Sequence, residues 1–442
     1  MHPIVRAGLP TAVLFSTGAA LFAQAAAPAP IDTALARRYF DEAAEVVRLD
    51  GGNLWGIPFD GTLIFGDQAT RMVVAARGDT GGVLRRAGSV WIGTMPSNQN
   101  VANTAAEWGG VRWTTVRWPP PPGDDPEARA LRAELFAHEL WHGIQARLGL
   151  PMDDAPNAHL DEREGRLWLR LEARALQYAL QADGEDRRTA LQDALLFRAT
   201  RHARFPDAGE AERKLERHEG MAGYTGLRLS GRDGTSMRAR ARALLDEVDR
   251  GVHLARSFAY GTGPAYGLLL DELAPGWRAR VIAGAGPAEL LRASLPRDEG
   301  TGDAVARGSR YGYEPVALAE VLRERERDAR RAELTARLVD GAIVRLPFEQ
   351  MQMQLDPQNV EPLGTAGTVY RAIRISDRWG VLEAKDGAVL LAPDFSHAVV
   401  ARPARLEAGA IGVVRGDGWT LTLADGYRLR EGPRAGDLSV VR

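Results

Sequence analysis

The chain has 442 residues, a formal net charge of −2 and no cysteine. That length can bury one large core or two. The near-neutral balance excludes the footprint of a nucleic-acid binder, and the missing thiol excludes disulfides, thiolate zinc sites and cysteine nucleophiles together.

Lysine occurs only at positions 214 and 385 while arginine is abundant, which reads as coding bias and not as a binding surface. At the N-terminus, His2 and Arg6 precede an apolar run from Ala7 to Ala23, and Ala23-Gln24-Ala25 offers a small-x-small cleavage site. Residues 1–25 read as a secretory signal peptide. Gly8, Pro10 and Gly18 make the run a poor permanent span, an uncleaved anchor being the alternative. The expectation is a secreted or periplasmic protein with no stable membrane span after signal cleavage.

Leu35, Tyr39, Ala43 and Val46 recur at helical spacing and predict an amphipathic helix over 31–49, ended by Asp50-Gly51-Gly52-Asn53. Short β-like runs follow at 62–65, 71–75 and 89–92, separated by Gly and Asp turns. The run 111–118 is the last strand before a proline block, and the prolines from Pro119 suit an edge position.

Asp125 is a candidate N-cap, Pro126 suits the first helical position, and Gly149 with Pro151 closes the segment. Inside this helix lies His138-Glu139-Leu140-Trp141-His142, the pattern H-E-x-x-H. Two imidazoles four residues apart share one helical face and can hold one metal ion, for which zinc is suited. Glu139 stands ~100° round the helix from His138 and about 60° from His142. It flanks the metal without binding it and can take a proton from a water. The alternative is a pair of core histidines satisfied by neighbouring polar groups.

The motif resembles the zincin metallopeptidases: His138 and His142 match their zinc-binding histidines and Glu139 their general base. The metzincin extension is absent from 143–148, so the resemblance implies a third ligand from elsewhere, usually a carboxylate. Glu162 follows His142 at a spacing like that of the thermolysin-like gluzincins, although Asp161-Glu162-Arg163-Glu164 reads equally as a solvated first turn. Glu172, in a predicted helix over 160–182, shares a face with Trp168, Ala175 and Ala179; the alternative to metal binding is a buried salt bridge to an arginine. After a further predicted helix over 187–201, Glu219-Gly220-Met221-Ala222-Gly223-Tyr224 resembles the E-G-x-A-x-Y segment that supplies the glutamate ligand in aminopeptidase-like gluzincins. Glu219 is the first choice for third ligand and Glu172 the second. By the same analogy residues 113–118 are a candidate for one wall of the substrate cleft, the alternative being a half-buried strand whose aromatics pack on a helix.

The stretch 257–267, Ser-Phe-Ala-Tyr-Gly-Thr-Gly-Pro-Ala-Tyr-Gly, reads as a loop in which Pro264 opens a helix. Gluzincins commonly place a tyrosine or histidine where it can hydrogen-bond the developing oxyanion. Tyr260, Tyr266 and Tyr224 are the candidates, the alternative for each being a packing tyrosine, with His253 behind them. His159, His202 and His397 have no partner in the sequence. A densely charged helix over 323–337 reads as a solvated connecting face. After Asp340-Gly341 the runs become short, β-rich and punctuated by glycine, as in a barrel or sandwich.

The expected fold class is α+β: a signal peptide over 1–25, a zincin-like catalytic domain over 26–338 and a small all-β domain over 339–442. The resemblance implies a zinc metallopeptidase with Zn2+ as cofactor, His138, His142 and Glu219 or Glu172 as ligands, and a peptide or protein as substrate. The alternatives are an inactive zincin-fold binding module, which intact Glu139 argues against, and a zinc hydrolase of cell-wall amides. Nothing in the sequence specifies an oligomeric state.

Overall fold

The architecture is α+β, with a helical part and a separate β-rich C-terminal region. The computed structural model describes residues 31–59, 62–96, 101, 103–150, 156–296, 303–355 and 360–442. The expected signal peptide and Pro151 lie outside them. The chain divides into two compact units: residues up to Ala146 with Leu229–Gly231, and Arg147–Arg228 with Arg232–Arg442. Among the described residues no helix is long and apolar enough to cross a membrane.

In the first unit α1 (Thr33–Asp50) starts at Asp32, whose carboxylate accepts from the N–H groups of Ala34 and Leu35, and stops at Gly51 in the left-handed conformation. Six strands follow: β1 (Leu63–Gly66), β2 (Met72–Ala75), β3 (Arg85–Ala87), β4 (Val90–Thr94), β5 (Thr104–Trp108) and β6 (Val111–Arg117). They form one sheet in the order β3-β4-β2-β1-β6-β5. Strand β1 pairs parallel with β6 and antiparallel with β2.

The expected edge position of β6 is overturned, because β5 pairs along its far side with Trp108 opposite Val111. The connection is Gly109-Gly110, both at positive φ, which is the two-residue hairpin turn that glycine pairs favour. The segment Thr-Ala-Ala-Glu-Trp of β5 carries little β-propensity of its own, so the strand is set by its turn and partner. A β6 paired on both sides offers no free edge to an extended substrate.

Alternation along β1 sends Phe65 to one face and Ile64 to the other. Phe65 meets Tyr39 and Phe40 of α1, Trp118, and Phe136 of α2 (Pro126–Gln145). Ile64 joins Val73, Leu84, Trp108 and Trp113 in a second cluster. Helix α2 is thereby seated on the sheet. Buried Arg132 ties it further, donating to both carboxylate oxygens of Glu42 on α1 at 2.6 and 2.8 Å and to the carbonyls of Pro121 and Gly123.

The second unit opens with helices α3 (Arg163–Ala179), α4 (Gly184–Arg204) and α5 (Ala208–Leu215). A π-helical turn over Glu216–Gly220 leads into α6 (Met221–Arg228). Then come α7 (Gly234–Arg250), α8 (Leu254–Ser257), α9 (Ala259–Leu273), α10 (Trp277–Ile282), α11 (Pro287–Ser294), α12 (Ala304–Gly308) and α13 (Tyr313–Thr335).

The expectation of a loop over 257–267 is corrected: the segment is helical and Pro264 lies inside α9. Its glycines serve close packing. A Cβ on Gly263 would stand 2.2 Å from the Cα of Gly220, and one on Gly267 would stand 2.1 Å from the Tyr224 ring. The charged stretch 323–337 is half-buried to exposed at every charged position, as expected of a solvated face, and the buried charge of α13 lies before it. Glu320 is buried between Arg166 and Arg170 of α3, at 2.8 Å from each.

The β-rich region begins at β7 (Ile343–Pro347), followed by β8 (Gln352–Leu355), β9 (Val360–Pro362), β10 (Thr368–Asp377) and β11 (Gly380–Leu391). It continues through β12 (His397–Ala401), β13 (Val413–Gly416), β14 (Trp419–Leu423), β15 (Arg428–Glu431) and β16 (Leu438–Val441). β11 pairs with β10 along one side and splits its other side between β14 and β12. Val344, Ile375, Trp379, Leu382, Val400, Leu421 and Leu438 form its core. Leu334 of α13 and the following Leu338 pack against Val369, Leu390 and Val399.

Candidate metal centre

Helix α2 begins as its sequence dictates: the Asp125 side chain caps the N–H of Ala128 at 2.9 Å and Pro126 occupies the first turn. One turn before the helix ends, His138 and His142 stand above one another with their Nε2 atoms 3.3 Å apart. Two imidazole nitrogens bound to one zinc at about 2.0–2.1 Å in tetrahedral geometry are about 3.3–3.4 Å apart, so this separation fits a shared ion. Nδ1 of His142 lies 3.0 Å from Oε1 of Gln145, which is fully buried. Glu139, 6% exposed, sits on the same two turns. Trp141 packs against Trp55 in the segment after α1, with ring centroids 5.7 Å apart.

Glu219 belongs to the π-helical turn, where the N–H of Met221 reaches back to the carbonyl of Glu216. Single π-turns inside helices recur at functional sites because they rotate one side chain out of the α-helical register. This turn is anchored from behind. Buried Glu216 accepts from Arg198 at 2.7 and 2.8 Å, and Gly220 lies against Gly263 of α9. His138, His142 and Glu219 each offer a ligand atom, and these atoms all lie within 4.8 Å of one another. Two imidazoles and one carboxylate are a donor set that zinc accepts.

Glu172 is outside that group. Its carboxylate accepts from Arg198 at 3.0 Å, from Arg201 at 2.7 Å and from the Tyr266 hydroxyl at 2.7 Å, with no exposure to solvent. Burial opposes its ionisation, but the two guanidiniums outweigh burial and hold the carboxyl below its ordinary value. Its neighbour Glu212 receives Arg201, His159 and His202, at 2.6, 2.7 and 2.9 Å. Burial again opposes ionisation, and Arg201 with Arg198 holds Glu212 well below the carboxylate range. Among the described residues Glu216 has Arg198 as its cationic partner, and burial pushes its carboxyl up.

The three tyrosines differ in placement. Tyr266 is spent on Glu172, and burial pushes its hydroxyl well above the ordinary value. Tyr224 donates to the Asp271 carboxylate, both oxygens at 2.9 Å, and accepts from Arg278. Tyr260, on the first turn of α9, is 41% exposed. Its carbonyl lies on the side of Gly223, 3.8 Å from where a Cβ would stand. His253 precedes α8, and its carbonyl accepts from Ser257. Glu162 leads into α3 with its side chain 55% exposed and 3.9 Å from Arg327. His397 lies beside Ser396 and Arg345 in the β-rich region.

Sequence reasoning missed Gln145, Arg198 and Glu216. Gln145 had a signal, since it sits three residues after His142 on the same helical face. The Arg198–Glu216 pair had none, because its members come from different helices. No protein-family model, no curated protein and no solved structure matches this chain.

Proposed function

We propose that the chain is an exported zinc-dependent metallopeptidase of the zincin type, with His138, His142 and Glu219 as ligands and Glu139 as general base. The observation that carries this reading is the grouping of those two imidazoles with one carboxylate, together with Nε2 atoms at the spacing of two ligands on one zinc. The small-x-small site after the apolar N-terminal run supports the exported location.

A zinc ion held there would supply Lewis acidity for activating a water and polarising a carbonyl. Glu139 takes the proton of the attacking water and passes it to the departing amine. His138 and His142 offer neutral nitrogens, and Glu219 supplies the one negative charge among the ligands. Tyr260, exposed on the first turn of α9, is the candidate partner for the developing oxyanion.

The test is the zinc content of purified protein beside three variants. The wild type is expected to carry about one zinc per chain. His142→Ala and Glu219→Ala lose it and Glu172→Ala keeps it. Absence of zinc in the wild type after zinc is supplied overturns the reading. Retention in Glu219→Ala with loss in Glu172→Ala overturns the ligand assignment. Peptide-library cleavage by wild type and not by Glu139→Gln then tests the reaction.

A further inference from the structure

Gln145 is fully buried, on the same face of α2 as His142 and one turn further on. Its Oε1 stands 3.0 Å from Nδ1 of His142. A carbonyl oxygen only accepts, so the hydrogen of that bond belongs to Nδ1. A neutral imidazole carries one N–H, and placing it on Nδ1 leaves the lone pair on Nε2. Nε2 is also the atom that faces His138, 3.3 Å away. Water imposes the opposite preference, since the exposed imidazole of a peptide favours its proton on Nε2. A histidine left to itself would therefore present a hydrogen where a metal ligand must present a lone pair.

We infer that Gln145 is a positioning residue which fixes His142 as the Nδ1–H tautomer and so presents the Nε2 lone pair toward His138 before any metal arrives. The functional unit on α2 is then H-E-x-x-H-x-x-Q, extended by one turn beyond the motif. The tautomer claim stands on the hydrogen bond alone; its consequence for zinc rests on the proposed function. Pairing a ligating imidazole with a second acceptor typically changes metal affinity by about 10–100-fold.

The experiment uses the full protein without metal, labelled with 15N at histidine, at a pH where the imidazoles are neutral. Long-range proton–nitrogen spectra separate the two tautomers, and His142 is assigned by the signals missing from His142→Ala. The expected result is Nδ1–H in the wild type and in Gln145→Glu, which keeps an acceptor. Gln145→Leu, which removes the acceptor, shifts His142 toward Nε2–H. A proton on Nε2 in the wild type, or an unchanged tautomer in Gln145→Leu, overturns the inference. The wild-type spectrum decides even if Gln145→Leu fails to fold.

Competition against a zinc-binding dye adds a second arm. Gln145→Leu is expected to bind zinc about 10–100-fold more weakly than the wild type, and Gln145→Glu to stay within a few-fold of it. Equal affinity in Gln145→Leu overturns the functional consequence. If the wild type binds no zinc, the proposed function fails while the tautomer result still stands or falls by its own spectrum.

Discussion

Glutamates of this chain sit in contrasting surroundings, and Glu139 and Glu172 show what the surroundings decide. Glu139 lies beside two imidazoles on one helix, and the proposed function makes it the general base. Substituting Glu139→Gln keeps the shape and removes the base; zinc content is expected to be unchanged while peptide turnover falls by about 10²–10⁴-fold. If Glu139→Gln turns over like the wild type, the base lies elsewhere. Glu172 has two guanidiniums and a phenol on it, so its role is to neutralise buried charge. Removing one partner from such a cluster strands the other charges and costs about 3–5 kcal/mol. Glu172→Ala is therefore expected to lower the unfolding free energy by that amount with zinc retained, measured by denaturant titration. Both residues were visible as candidates because each sits in a helical pattern. A buried salt bridge to an arginine was the stated alternative for Glu172 and is what forms; which arginines supply it was not legible, because Arg198 and Arg201 lie 26 and 29 positions further along the chain.

Elements with strong local signals were read from the sequence with little error. Helix α2 has its cap, its first-turn proline and its apolar stripe within one stretch of chain, and it forms where those signals lie. Strand β5 lacks such signals, and its omission produced the mistaken edge for β6. The glycines of α9 misled in another way. Gly261, Gly263 and Gly267 look like turn residues, but each faces a close neighbour across a helix crossing, and only tertiary structure distinguishes the two uses. A prediction belongs here. In Gly263→Ala the new Cβ would meet the Gly220 backbone at 2.2 Å, and backbone has no rotamer through which to yield. Overpacking of that kind costs about 1–3 kcal/mol. The turn that must move carries Glu219, so the variant is expected to lose zinc affinity at least about tenfold, a step of 1.4 kcal/mol, while its circular dichroism stays native. A variant with lower stability and unchanged zinc affinity would show that the crossing supports the fold without setting the ligand.

At the scale of the whole molecule, acid stability follows from the cluster behind the π-turn, where Glu172, Glu212 and Glu216 share Arg198 and Arg201. Glu172 and Glu212 are held below the ordinary carboxylate value of about 4.3. In the unfolded chain they would take up protons near that value, while in the fold they stay ionised to lower pH. Their stabilisation is therefore present above about pH 4.3 and is lost as pH falls through their folded values. Glu216 has the opposite sign. Burial raises it, so the fold binds its proton before the unfolded chain does, and stability gains as pH falls from neutral toward the carboxylate range. Together these shifts give a melting temperature with its maximum on the mildly acidic side, followed by a decline below about pH 4.3. Thermal melts of the metal-free protein across pH should show both limbs. Glu216→Gln is expected to erase the rise from neutral pH and keep the acid decline, whereas Glu212→Gln lowers the whole curve and flattens the decline. If Glu216→Gln leaves the neutral limb as steep as in the wild type, the rise belongs to other groups and the assignment of Glu216 fails.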